Sequence, residues 1–195
     1  MNPRHLVLFA FIVLVAVFLA YRGTMAIRDD SQGQINPKPE FVASERDFIH
    51  GMIPHHQEAV TSSEELLSVV VDPDVRTLAS NIIRAQEAEI TEMKTWYAQW
   101  YEAEYRDDGK YKAMMRPLQN LSPKDAEARF VADMIGHHEH AVLMARELAT
   151  FAERPELRTL AANIIRDQEA EIRTLTSWLQ SKYGQTPNAV DHSMH

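Results

Sequence analysis

Two short stretches carry the residues most able to do chemistry. "MIPHHQEAV" begins at Met52, and "MIGHHEHAV" begins at Met134. Each sets a methionine three residues before a pair of adjacent histidines: Met52 with His55 and His56, and Met134 with His137 and His138. Thioether sulfur and imidazole nitrogen are soft-to-borderline donors, and in combination they favour Cu(I), with Ag(I) as its mimic. Calcium and magnesium want oxygen ligands, and zinc rarely takes a thioether. The chain has nine histidines, nine methionines and no cysteine. Disulfides, zinc-thiolate sites and thiol nucleophiles are therefore excluded, and cysteine-free Met/His sites suit an oxidising compartment.

The elements that position these residues follow from a duplication. Residues 48–97 align with 130–179 at a constant shift of 82 without a gap, and about half the positions are identical. "RTLASNIIRAQEAEI" from Arg76 returns as "RTLAANIIRDQEAEI" from Arg158. Each copy reads as a helix, a turn near a proline (Pro73, Pro155) and a second helix, with apolar residues at helical spacing. No stretch alternates with period two. The predicted fold is an all-α four-helix bundle made from two helical hairpins. Its expected span is 41–183: repeat 1 at 41–105, a loop at 106–123 and repeat 2 at 124–183. The loop is long enough to cross the bundle, and its length leaves the topology open.

Polar residues interrupt the apolar seams. Along the second helix, Gln86 and Glu89 stand between Ile82 and Met93, and the copy repeats this with Gln168 and Glu171. His55 follows Phe48 and Met52 on one stripe of the first helix, and His56 follows Ile49 and Ile53 on the next. Folding each hairpin at its turn makes His55 level with Glu89, and Met52 level with Met93. In the second copy His137 falls level with Glu171, and Leu175 replaces the second thioether. Counting from the turns thus gathers four histidines, two Glu, two Gln and three Met at one height. Buried polar groups without partners cost kilocalories each, and a metal would satisfy them. Read singly, a seam histidine is a hydrogen-bonded core group and a seam methionine is packing; the repetition argues for a metal. Glu89, Glu171, Gln86 and Gln168 are expected to support the histidines rather than to ligate. Further candidate ligands are Met93, His140, Met144, Met114 and Met115 in or near the bundle, and His192, Met194 and His195 in a tail at 184–195 that also reads as an exposed end.

"LVLFAFIVLVAVFLAY" from Leu6 carries no charge. It is read as an uncleaved membrane anchor within residues 1–28, in preference to a cleaved signal peptide. A polar linker follows at 29–40. Either reading places the bundle outside the cytoplasm. The net charge of −8 argues against nucleic acid as a partner.

The "MIPHHQEAV … QEAEI … M … W" pattern resembles the domain of unknown function 305 family over residues 41–183. That resemblance implies a ferritin-like helical bundle. It further implies kinship with extracytoplasmic copper-binding proteins that also bind silver and aid copper tolerance. It maps the family motif onto Met52, His55, His56, Met134, His137 and His138. Leu175 and Gly136, which replaces Pro54, depart from it. The expected function is non-enzymatic Cu(I) binding in copper buffering, delivery or resistance, with an unidentified copper-transport or chaperone partner. Affinity is expected to fall below about pH 6, as imidazole protonates. One alternative is a dinuclear Fe or Mn oxidase, although neither inner histidine follows a Glu-x-x-His spacing. The other is a structural bundle with a polar network and no metal.

Overall fold

The structure, a computed structural model, describes residues 41–186. The N-terminal apolar segment, the linker, and His192, Met194 and His195 of the tail lie outside the described residues. Four helices make up the fold: α1 (Glu45–Leu67), α2 (Pro73–Tyr101), α3 (Pro123–Phe151) and α4 (Pro155–Tyr183). Among the described residues there is no strand, and no helix is long and apolar enough to cross a membrane.

The sequence marks each helix start. Ser44 and Ser122 accept hydrogen bonds from the amides of Asp47 and Asp125, and Asp72 accepts from Asp74 and Val75. Proline occupies the first turn of α2, α3 and α4, where its missing N–H costs nothing. Arg154, at the start of α4, offers no side-chain cap. The chain supplies one from a distance. Glu45 Oε1 accepts from the amides of Glu153 (2.7 Å) and Arg154 (2.9 Å). Its repeat equivalent, Glu127, accepts from Val71 (2.7 Å) and Asp72 (2.8 Å). Each repeat's first helix thus clamps the other repeat's turn, which is the signature of a pseudo-two-fold axis between the hairpins.

These clamps also settle the topology. The start of α1 meets the end of α3, and the start of α3 meets the end of α1, so α1 and α3 run antiparallel. Each hairpin is antiparallel as well, as Arg46 to Tyr97 and Arg146 to Glu169 show. It follows that α2 and α3 are parallel, and the connection between them must travel the length of the bundle. Helices of 29 residues are about 43 Å long, and residues 102–122 in extended form span that with slack. The crossover runs along α1: the Tyr105 hydroxyl reaches the His50 carbonyl (3.5 Å), Tyr111 reaches Glu58 (2.6 Å), and the Leu118 amide reaches Glu65 (3.2 Å). Pro54, inside α1, has no N–H for the His50 carbonyl one turn back, which leaves that oxygen for Tyr105.

The core is split in two. One cluster holds Phe48, Met52, Met93, Tyr97, Met144, Leu148 and Ile164; the other holds Leu66, Val75, Ile82, Phe130, Met134, Leu175 and Leu179. On every helix the seam polar residues fall between the two: His55 and His56, Gln86 and Glu89, His137 and His138, Gln168 and Glu171. A polar layer therefore crosses the middle of the bundle. Glu127→Ala removes the acceptor for two amides and for the Tyr183 hydroxyl. It is expected to lower the unfolding free energy by about 2 kcal/mol in urea denaturation, and Glu45→Ala at the other end should do the same.

Candidate metal centre

The layer is built from equivalent residues facing one another across the pseudo-two-fold. His55 of α1 and His137 of α3 stack with ring centroids 3.7 Å apart and planes tilted by 33°. His137 Nε2 lies 3.1 Å from the His55 carbonyl. A carbonyl only accepts, so Nε2 carries the proton and the lone pair of the neutral ring lies on Nδ1. The outer pair follows the same logic. His56 Nε2 lies 2.7 Å from Glu89 Oε2, and His138 Nε2 lies 2.7 Å from Glu171 Oε2, though without hydrogen-bond alignment. All four histidines are fully buried. Among the described residues their Nδ1 atoms have no partner, nor has His55 Nε2, nor the side-chain oxygens of Gln86 and Gln168.

Counting from the turns levels Glu89 with His55 and Glu171 with His137, but the structure joins these carboxylates to the neighbouring rings, His56 and His138. A one-residue step rotates a side chain by about 100°, and the second histidine of each pair is the one turned toward the partner helix. The methionines are also redistributed. Met52, Met93 and Met144 lie in the apolar cluster on one side of the layer, while Met134 lies in the other. The expectation of three thioethers at one height is corrected: each repeat sends its methionine away from the axis, so two-fold symmetry places them on opposite sides. Met114 and Met115 sit half-buried in the crossover.

Sequence reasoning missed Glu58. Its carboxylate lies 3.4 Å from His137 Nε2 and accepts from the Tyr111 hydroxyl (2.6 Å) and the amides of Met114 (2.9 Å) and Met115 (3.0 Å). Burial would raise this carboxyl's pKa, but the hydrogen bonds from His137, Tyr111 and the two amides outweigh it and hold the group below its usual value. The signal was available. Glu58 lies one turn after His55 on the same stripe, and the repeat replaces it with His140. The His140 ring stacks on His55 at 5.2 Å.

The donor types fit a soft or borderline metal, and the orphaned Nδ1 atoms are the observation that supports this. The arrangement is not a ready-made cage. Among the described residues no group of three His, Cys, Asp or Glu side chains is placed to hold a metal ion. Capture by these residues needs a ring to turn or a thioether to join.

Residues 45–179 and 127–195 match the model of the family described as domain of unknown function 305. The chain belongs to this family. CopM in its Cu(I)-bound form is 41% identical, with a TM-score of 0.65 over 72% of this chain and 99% of that one. CopM structures in Cu(II)-bound and silver-soaked forms match with TM-scores of 0.63. A fragment of this family from Deinococcus radiodurans is 27% identical, with a TM-score of 0.61 over 71% of this chain and 97% of that one. Uncharacterized protein L153 of Acanthamoeba polyphaga mimivirus is 39% identical over 51 residues, which is 26% of this chain and only about a third, 34%, of that protein's length.

Burial, reinforced by the surrounding imidazoles, holds His55 well below the usual histidine value. Burial likewise lowers His137 to about 4, against the opposing pull of Glu58. Proton competition at these two rings therefore starts at lower pH than the value near 6 expected from an ordinary histidine. The unfolded chain takes up a proton on His137 near pH 6.5 and the folded chain does not until near 4. Stability is thus intact above 6.5 and falls as pH drops through that window, by roughly 3 kcal/mol for His137 alone. Urea unfolding of the metal-free protein between pH 7.5 and 4.5 should show this decline, and His137→Gln should flatten it.

Proposed function

We propose that this protein binds copper as cargo, chiefly Cu(I), with Ag(I) as its mimic, and that it acts in copper buffering, delivery or resistance without catalysing a reaction. The observation that carries this reading is the layer of four fully buried imidazoles whose Nδ1 atoms lack partners. Its support from outside the molecule is 41% identity with CopM, whose structures include Cu(I)-bound and silver-bound forms. Under this proposal His55, His56, His137 and His138 present nitrogen, with Met52 and Met93 packed on one side of the layer and Met134 on the other. Imidazole paired with thioether selects the soft monovalent ion. Glu89, Glu171 and Glu58 orient the rings as carboxylates do around metal-ligating histidines. The bundle works outside the cytoplasm, held to a membrane by the N-terminal apolar segment, and exchanges copper with a transport or chaperone partner.

A ferritin-like Fe or Mn oxidase finds less support. That chemistry uses carboxylates contributed by several helices to a shared pair of ions. Here each carboxylate lies singly against one histidine ring.

Equilibrium competition against a chromophoric Cu(I) chelator tests the proposal. The wild type should withdraw Cu(I) from the chelator, and His55→Leu/His137→Leu should withdraw markedly less. Ag(I) at about a hundred times its dissociation constant should add roughly 2.7 kcal/mol to unfolding, seen as a higher melting temperature. No withdrawal of Cu(I) by the wild type, or withdrawal unchanged in the variant, would sink the reading.

A further inference from the structure

On the α1–α3 face the crossover roofs a cavity of about 390 Å³ that opens to solvent beside the histidine layer. Three soft or borderline donors line it: Met114 from the crossover, and His140 and Met144 from α3. His140 and Met144 are four residues apart, so they share one helix face. Met144 is only 4% exposed. Its methyl carbon lies 3.0 Å from where a Cβ on Gly51 would stand, so the glycine on α1 is what leaves this thioether its room. Met114 is positioned by its amide, which donates to Glu58 at 2.9 Å. His50 also lines the cavity, but its Nε2 is engaged with the Tyr97 hydroxyl at 2.9 Å. At the rim Lys110 pairs with Asp108 at 2.8 Å, and Asp47 and Lys112 add one charge of each sign.

The cavity wall is joined to the buried layer. The His140 ring lies 5.2 Å from that of His55, nearly parallel, and His55 lies 3.7 Å from His137. A row of three imidazoles thus runs from the solvent-facing hollow to the pseudo-two-fold axis. The first repeat has no such pair, since Glu58 and Ser62 occupy the positions of His140 and Met144.

We propose that this cavity is a second, solvent-facing soft-metal site. The Met114 and Met144 thioethers and the His140 imidazole hold a Cu(I)-class ion there, and the ion passes to the buried layer along the His140–His55 stack. The transfer rests on the function proposed above; the site itself rests on its own donors. Two thioethers and one imidazole suit a low-coordinate monovalent ion and serve hard cations poorly. The cavity also answers a difficulty of the buried layer, whose fully enclosed rings need a route from solvent.

The test is a titration of the full chain, labelled with 13C at its methionine methyls, with silver nitrate in chloride-free buffer. Resonances are assigned through single Met→Leu variants. The Met114 and Met144 methyls should shift with the first equivalent, ahead of those of Met52 and Met93. Met114→Leu/Met144→Leu should lose one bound equivalent and fill the buried layer more slowly, with its apo melting temperature retained. If Met114 and Met144 stay unshifted while the buried histidines or Met52 respond, the cavity site is overturned and the buried reading stands. If Met114 and Met144 shift but His55 and His137 never respond, the transfer to the layer is overturned together with the buried reading. Silence at every methionine and histidine defeats both proposals.

Discussion

The constraint on which the structure turns is the burial of imidazole. Four rings are withdrawn fully from water, and each keeps a nitrogen without a partner. An orphaned buried polar atom costs about 1–3 kcal/mol, and a domain of this size has a margin of only about 5–15 kcal/mol. The fold bears that cost by enclosing the layer between two apolar clusters, one at each end of the bundle. The carboxylates of Glu89 and Glu171 stand where each can meet an outer ring, at distances of 2.7 Å. A chain selected for stability alone would fill these positions with apolar side chains. Unsatisfied rings are retained in both copies of the repeat.

The duplication supplies the geometry that such a layer needs. A pseudo-two-fold axis brings a residue against its own equivalent, so one histidine in the repeat becomes a stacked pair, His55 on His137. The reciprocal clamps of Glu45 and Glu127 fix that axis from the ends of the helices. They act on backbone amides, so they hold α1 and α3 in register whatever side chains the two turns carry. Burial, reinforced by the neighbouring imidazoles, keeps the inner rings neutral well into acid.

Much of this was legible in the sequence. The shift of 82, the prolines at the helix starts and the polar residues on the seams gave the hairpins, and the seam polar residues fall in one layer. The HH pairs also carried the family resemblance. What turn-counting could not supply was azimuth. It assigns height along a helix to within about a residue, yet one residue is 100° of rotation, so Glu89 was set against His55 when His56 faces it. The methionines failed for a related reason: the two turns lie at opposite ends of the bundle, so equal counts from each put Met52 and Met134 on opposite sides of the layer. Glu58 was passed over because its partners, Tyr111 and the amides of Met114 and Met115, come from a loop whose path depends on the parallel arrangement of α2 and α3.

That loop explains why the two halves differ. A single strand of chain laid across a two-fold axis cannot be symmetric about it. The crossover covers the α1–α3 face, where the axis emerges, so equivalent positions on the two helices meet different parts of it. Position 58 meets a tyrosine hydroxyl and two amides, all donors, and a carboxylate answers them. Position 140 instead lines a hollow together with Met114 and Met144. Pro54 and Gly136 divide in the same way, because only α1 has a carbonyl to give up to Tyr105. The departures from the repeat thus follow the path of the crossover. They turn a symmetric core into one with a carboxylate held by the crossover at Glu58 and an imidazole lining a cavity at His140.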